Sequence, residues 1–173
     1  MKTAVIYKSK TGFAQKYAEW IAKALDADLF PLASFKPEQF AAYDAIVYGG
    51  GLYAGGINGI KFIKKHLPLL QNKRVIVFAT GATPTRTETT NELRQVNFSP
   101  EEQRQVQFFY LRGGFNYDKL GFVDKCLMTI MRMKLKHKKI VGPDERGMLA
   151  AYSKPVDFTQ ERYIQPLVRS IKG

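Results

Sequence analysis

The chain has 173 residues, 45% of them hydrophobic, with 27 Lys and Arg against 15 Asp and Glu, a formal net charge of +12. That size suits one domain with a substantial buried core, and the apolar fraction excludes disorder, collagen and coiled coil. The charge calls for anionic partners: nucleic acid, phosphate-bearing ligands, a membrane surface or an acidic protein.

Taken in chain order, Ala4 to Tyr7 reads as a compact strand, followed by a helix whose face is Tyr17, Ile21, Ala22 and Leu25. Leu29 to Leu32 is a second strand, placed at an edge by Pro31. Ala45 to Tyr48 is a third, and Ile60, Phe62, Ile63 and Leu67 mark the next helix. Val75 to Ala79 is apolar on both faces, the pattern of a buried parallel strand. Ser99-Pro100-Glu101-Glu102 is a capping box with proline at the first helical position, and Phe108 to Leu111 is the fifth strand. A last helix is expected from near Asp157, with Ile164, Leu167, Val168 and Ile171 on its face and a kink at Pro166. Five strands interleaved with helices predict a single doubly wound α/β domain, with ligands beyond the carboxyl ends of its strands.

Other classes are excluded by composition. A lone cysteine, Cys126, cannot form an internal disulfide, which points to a reducing, cytoplasmic setting. His66 and His137 have no Cys partners at ligand spacing, so no metal site is expected. Met1 to Lys8 is too short an apolar run for a signal peptide, and no stretch approaches the ~18 apolar residues of a spanning helix.

The first strand runs through Ser9-Lys10-Thr11-Gly12-Phe13-Ala14 directly into a helix. Hydroxyls, a glycine and backbone N–H groups at a helix N-terminus suit a phosphomonoester, and the loop is too short for a Walker A motif. The other reading of Ser9 is a plain helix cap. Residues 49–59 contain six glycines, a density that brings backbone close to a flat ligand, with Tyr53 beside Gly51, Leu52 and Ala54 as the aromatic wall. Thr80-Gly81-Ala82 follows the fourth strand, and Gly113-Gly114-Phe115 the fifth, with Tyr117 as a further wall.

Strand, Ser-x-Thr-Gly-Phe, then helix resembles the phosphate loop of flavodoxins, whose pattern is Thr/Ser-x-Thr-Gly-x-Thr. The resemblance implies a five-stranded parallel sheet of order 2-1-3-4-5, with FMN as cofactor. It also implies that Ser9, Thr11 and Gly12 hold the phosphate, while the loops at Gly51–Ala54, Thr80–Ala82 and Gly113–Phe115 line the ring. Ala14 stands where the family has threonine, a loss of one hydroxyl donor worth about 0.5–1.5 kcal/mol. Lys8, Lys10 and Lys16 are expected to offset that loss electrostatically.

Residues 119–139 hold seven Lys or Arg and one acid, half of the net charge. On a helix, predicted as a basic insertion over 119–141, Lys125, Thr129, Arg132 and Lys136 form a narrow stripe. Phe122, Val123, Cys126, Leu127, Met128, Ile130, Met131, Met133 and Leu135 fill most of the remaining circumference, interrupted by Asp124 and Lys134. That excess of apolar surface suits a peripheral membrane contact, a redox partner, an amphiphilic substrate or self-association, with Lys125, Arg132 and Lys136 as the docking charges; the plain alternative is a fully packed helix with a solvated basic edge. Nucleic acid is disfavoured, because the stripe lacks interleaved aromatics.

Gly-Gly-Phe-x-Tyr, then Leu-Gly-Phe-x-Asp-Lys and a Met/Lys-rich helix, resembles the menaquinone-dependent protoporphyrinogen dehydrogenase group. Membership would imply FMN-dependent porphyrinogen oxidation at the inner membrane face, with quinone as acceptor. Arg86, Arg94 and Arg112 are the candidates for holding substrate carboxylates. Two rival readings are a soluble flavodoxin that only carries electrons and a non-enzymatic binding protein of the same fold. The absence of a Gly-x-Ser-x-Gly elbow or a Cys–His pair agrees with chemistry supplied by a cofactor.

Overall fold

The computed structural model describes residues 1–137, 142–143, 146–147 and 154–173. Five parallel strands form the sheet: β1 (Thr3–Lys8), β2 (Asp28–Pro31), β3 (Ala45–Tyr53), β5 (Arg74–Gly81) and β6 (Val106–Arg112). Their order is β2-β1-β3-β5-β6, and the short β4 (Gly56–Ile57) pairs antiparallel with the end of β3. Setting β4 aside, this is the expected 2-1-3-4-5 order. Pro31 sits in β2, which pairs only with β1, so the proline costs no ladder bond on its open side.

Strand pleating divides the core. Ala4, Ile6, Ile46, Tyr48, Val75, Val77 and Ala79 belong to one buried cluster, and Val5, Val47, Ile76 and Phe78 to the other. The first cluster is covered by residues of a 3-10 segment (Pro37–Ala42) and of α2 (Ile60–His66). The second is covered by α1 (Phe13–Leu25) and α6 (Gln165–Lys172), through Tyr17, Ile21, Leu167, Val168 and Ile171. Helices on both faces are what strands buried on both sides require.

Two helices lie between β5 and β6. The capping box forms as expected at α4 (Pro100–Gln105), where Ser99 Oγ accepts from the Glu102 N–H and the Glu102 carboxylate accepts from the Ser99 N–H. Before it runs α3 (Thr87–Asn97), which the sequence does not announce: it is polar almost throughout, and Asn97 is its one buried residue.

The end of the chain corrects one expectation. Val156–Asp157 forms a short strand, β8, paired antiparallel with β7 (Gly114–Phe115), and α6 begins only at Gln165 after a 3-10 turn. Pro166 therefore stands in the first turn of α6, where no N–H is needed and no kink follows. The β7–β8 ribbon brackets the basic segment, whose helix α5 spans Phe122–Lys136. Residues 138–141 of the expected helix lie outside the described residues, as do the side chains of Phe122, Val123, Leu127, Met131, Lys134, Leu135 and Lys136.

Candidate functional site

The carboxyl ends of β1, β3, β5 and β6 finish at one level. Lys8 is in register with Gly50, Gly51 with Thr80, and Gly81 with Arg112. The Gly113 N–H extends the ladder by donating to the Gly81 carbonyl at 2.8 Å. From β1 the chain crosses first to β2 and later to β3 on the other side, so strand order reverses between β1 and β3. The loop after β1 and the hairpin ending β3 flank that switch point.

Ser9 is not the cap of α1. Its hydroxyl oxygen accepts from the Gly12 N–H at 3.1 Å, and Gly12 is the residue at the helix start, with φ +94° and no side-chain cap. The first helical bond runs from the Lys16 N–H to the Gly12 carbonyl, leaving the Phe13, Ala14 and Gln15 N–H groups without an intrahelical acceptor. A Cβ built on Gly12 would meet nothing within 4 Å, so open space lies over this end. Uncapped donors, the positive end of a helix dipole and the half-buried Thr11 hydroxyl fit a phosphate group.

Phe13 and Ala14 contribute backbone only. A Cβ on Gly114 would come within 2.6 Å of the Phe13 ring, so that side chain braces β7, and Ala14 is 1% exposed in the core.

The glycine-rich stretch is less of a loop than expected. β3 continues through Gly49–Tyr53 and turns back at Ala54-Gly55, with φ +46° and +82° at the two central positions of a tight hairpin. Gly49 is required because a Cβ there would stand 2.0 Å from the Phe78 ring, and Gly50 because the Asn58 carbonyl would be 2.7 Å away. These two answer to packing rather than to a ligand. Gly51 is different: a Cβ there would find only Thr80 Oγ1, at 3.9 Å. Gly51, Leu52, Thr80, Gly81 and Gly113 meet as one surface, since a Cβ on Gly81 would lie 3.1 Å from Leu52 Cδ1 and one on Gly113 3.2 Å from Thr80 Cβ.

Asn97, invisible to sequence reasoning, holds the hairpin tip. Its Nδ2 donates to the Gly55 and Leu93 carbonyls, both at 2.8 Å, and its Oδ1 accepts from the Ile57 N–H at 2.9 Å. The residue is buried, and no local pattern in its polar helix marks it.

Asp124 is the second missed residue. As the only acid in a strongly basic stretch it was legible as an oddity, but its partner was not. From the first turn of α5 its carboxylate accepts from the Lys10 ammonium at 2.8 Å, with 12% of its side chain exposed. The same ammonium lies 4.0 Å from the centre of the Tyr53 ring. The hydrogen bond from Lys10, with the nearby Tyr53 phenol, holds the Asp124 carboxyl below its usual range, while burial and that carboxylate push the Tyr53 phenol up. Lys16 pairs with Asp157 at 3.0 Å. Two of the three lysines expected to strengthen the loop are thus matched by carboxylates from the insertion and its return strand.

Asp157 also sits below its ordinary value: burial raises it, but hydrogen bonds from Thr159 and Lys16 outweigh that. Carboxyls depressed in the fold stabilise it above their unfolded pKa of about 3.9, and that contribution is lost as pH falls through the lower folded value. Hydrogen exchange should therefore show the first turn of α5 and strand β8 losing protection below about pH 4, ahead of Val75–Ala79. Simultaneous loss across all three segments would refute these two ties.

The other candidates are placed as follows. Arg112 donates from Nε to the Ala82 carbonyl at 3.2 Å, and its guanidinium stacks 3.8 Å over the Phe158 ring. It lines a cavity of about 550 Å³ on the outer edge of β6 with Phe108, Phe109, Arg162 and Tyr163. Arg94 donates to the Gln103 carbonyl near the opposite end of β6, so it is not brought to the site. Arg86 is exposed just before α3. Tyr117 turns to α5, its hydroxyl 2.8 Å from that of Thr129 and its ring 5.8 Å from the Lys125 ammonium, instead of walling the site. Phe115 pairs with Val156 in the ribbon. On α5, Ile130 and Met133 are about half exposed. Among the described residues no helix is long and apolar enough to cross a membrane, and no cluster of metal-binding side chains occurs.

A five-stranded parallel sheet of this order, with an uncapped helix start at its switch point, defines a doubly wound α/β protein with an anion-sized site at its strand ends. The flavodoxin-domain family model matches residues 4–140, and the chain belongs to that family. An uncharacterized protein of Methanocaldococcus jannaschii is 33% identical over 87 residues, 49% of this chain; the match spans 57% of that relative's length. Among solved structures, the flavodoxin, WrbA-like protein from Agrobacterium tumefaciens aligns with a TM-score of 0.50 and 19% identity, over 79% of this chain and 99% of that one. The Trp repressor binding protein from Bacillus subtilis aligns with a TM-score of 0.50 and 18% identity, over 66% and 85%. At such identities these structures speak for the fold. The cofactor that family membership implies is FMN, and the open, uncapped start of α1 fits its phosphate.

Proposed function

We propose that the chain is an FMN-dependent oxidoreductase that works on an amphiphilic small molecule or redox partner brought to the face carrying α5. The observation that carries the reading is the convergence of the uncapped α1 start with the Gly51, Thr80–Gly81 and Gly113 backbone at one end of the sheet. The Thr11 hydroxyl and the N–H groups of Phe13, Ala14 and Gln15 would hold the phosphate, and Gly51, Leu52, Thr80, Gly81 and Gly113 would line the ring. When bound, FMN supplies the electron-transfer chemistry; these residues bind it, orient it and keep water from one side.

The most specific form of the reading is protoporphyrinogen oxidation with quinone as acceptor, against the inner face of a membrane. Its support is the Gly113-Gly114-Phe115-x-Tyr117 sequence and the half-exposed Ile130 and Met133 on a helix that also bears Lys125, Arg132 and Lys136. A soluble electron carrier is the second reading, favoured by the family match. The net charge of +12 opposes it, since typical flavodoxins are acidic and dock on basic partners.

The deciding experiment is turnover of protoporphyrinogen with a quinone by the FMN-loaded protein, beside flotation with anionic vesicles. Turnover, with flotation lost when Lys125, Arg132 and Lys136 are changed to Glu, supports the specific enzyme. An FMN-loaded protein that neither turns over nor floats supports the carrier. The phosphate loop has its own test. Gly12→Ala forces a side chain into φ +94°, at a cost of about 1–2 kcal/mol, and should weaken FMN binding about fivefold or more while leaving riboflavin unchanged. Equal loss for both flavins in fluorescence titrations would reject loop 9–13 as the phosphate site.

A further inference from the structure

The loop at the start of α1 presents three backbone donors without an intrahelical acceptor. Its lysine, Lys10, is engaged by the Asp124 carboxylate at 2.8 Å, and Tyr53 from the β3–β4 hairpin covers the same ammonium. Asp124 comes from an element 114 residues away in sequence, so its place beside the loop is produced by docking of α5. A phosphate at the start of α1 and a carboxylate on Lys10 are like charges competing for the same ammonium, and each weakens the other's hold.

We infer that Asp124 sets the affinity of the loop for phosphate: it competes with the phosphate of the flavin for Lys10, so that cofactor loading and docking of the first turn of α5 oppose each other. The inference rests on the FMN reading of the site and goes beyond it. It assigns a specificity role to a residue that contacts the loop rather than the ring. The consequence is a chain that discriminates FMN from riboflavin less sharply than its uncapped helix start would allow. It also links the basic helix to the occupancy of the cofactor site.

The test compares FMN and riboflavin titrations of the full chain for the wild type and Asp124→Asn, an isosteric change that keeps a polar group beside Lys10. FMN should bind about fivefold to tenfold more tightly to the variant, with riboflavin unchanged. In a Lys10→Gln background the same Asp124→Asn change should tighten FMN clearly less, because the contested cation is gone and only direct carboxylate–phosphate repulsion remains. In the wild type, FMN but not riboflavin should speed amide exchange in the first turn of α5. Unchanged or weaker FMN binding in Asp124→Asn, an equal change for both flavins, or unaltered exchange in α5 would each overturn the inference. A wild type that binds riboflavin and FMN equally well, and tightens on FMN alone when Asp124 is neutralised, supports it in its strongest form. A wild type that ignores both flavins overturns the flavin reading itself.

Discussion

Gly49→Ala should destabilise the protein by about 3 kcal/mol or more, a fall in Tm of roughly 6–12 °C for a chain of this size. The added Cβ would stand 2.0 Å from the Phe78 ring, and both residues are buried at the centre of the sheet, on neighbouring strands. Neither can withdraw: Gly49 is paired on both sides, with Tyr7 and with Phe78, and the ring is packed edge-on against Tyr17. Urea melts should therefore show a large drop in midpoint with little change in slope. Phe78→Leu in the same molecule should recover about 1–2 kcal/mol relative to Gly49→Ala alone, because the two changes share one space. Strict additivity would mean that the ring is not what requires the glycine.

Asn97→Ala should cost about 2–4 kcal/mol and free the β3–β4 hairpin. The side chain satisfies the Ile57 N–H and the Gly55 and Leu93 carbonyls; its removal leaves buried polar groups unpaired, at about 1–3 kcal/mol each where water cannot reach. The Ala54 backbone, at φ +46°, adds strain that the staple holds in place. Exchange of the Ile57 amide reports the effect directly, and it should rise by more than exchange of Val75–Ala79. Flavin affinity should fall with it, for FMN and riboflavin alike, if Gly51 and Leu52 line the ring as proposed. A variant that keeps the Ile57 amide protected would show that the turn stands without Asn97.

Much of this architecture can be read directly from the residues. Ala4–Tyr7, Ala45–Tyr48, Val75–Ala79 and Phe108–Leu111 announce themselves because strands covered on both faces need apolar side chains at every position. Ser99–Glu102 is legible because a capping box is a local device whose partners lie within one turn. The Ser9–Gly12 loop is legible for the same reason. What could not be read depends on partners distant in the chain. Gly49 and Gly50 look like ligand-facing glycines until Phe78 and Asn58 are seen to fill the space where their side chains would be. Asn97 reads as one more polar residue of a weakly patterned helix, and Asp124 as an interruption of a basic one. Asp157 resembles a helix start, yet it belongs to a strand whose partner is Gly114. Gly50 and Asn58 apart, the deciding contact crosses tens of residues, and in no case does periodicity encode it.

The β7–β8 ribbon also bears on how the chain is assembled. Phe115 and Val156 are paired, so the two ends of the stretch between them meet at one point of the ribbon. The Phe158 N–H then bonds the Gly113 carbonyl, and the Tyr17 hydroxyl donates to the Arg112 carbonyl while accepting from the Gln160 N–H. Closing a long excursion at such a point costs loop entropy that grows only slowly with its length, about 0.6 kcal/mol per doubling. Such a branch can be lengthened or shortened in descent at little cost to the trunk, and Asp124 is one place where this one reaches back to touch the root.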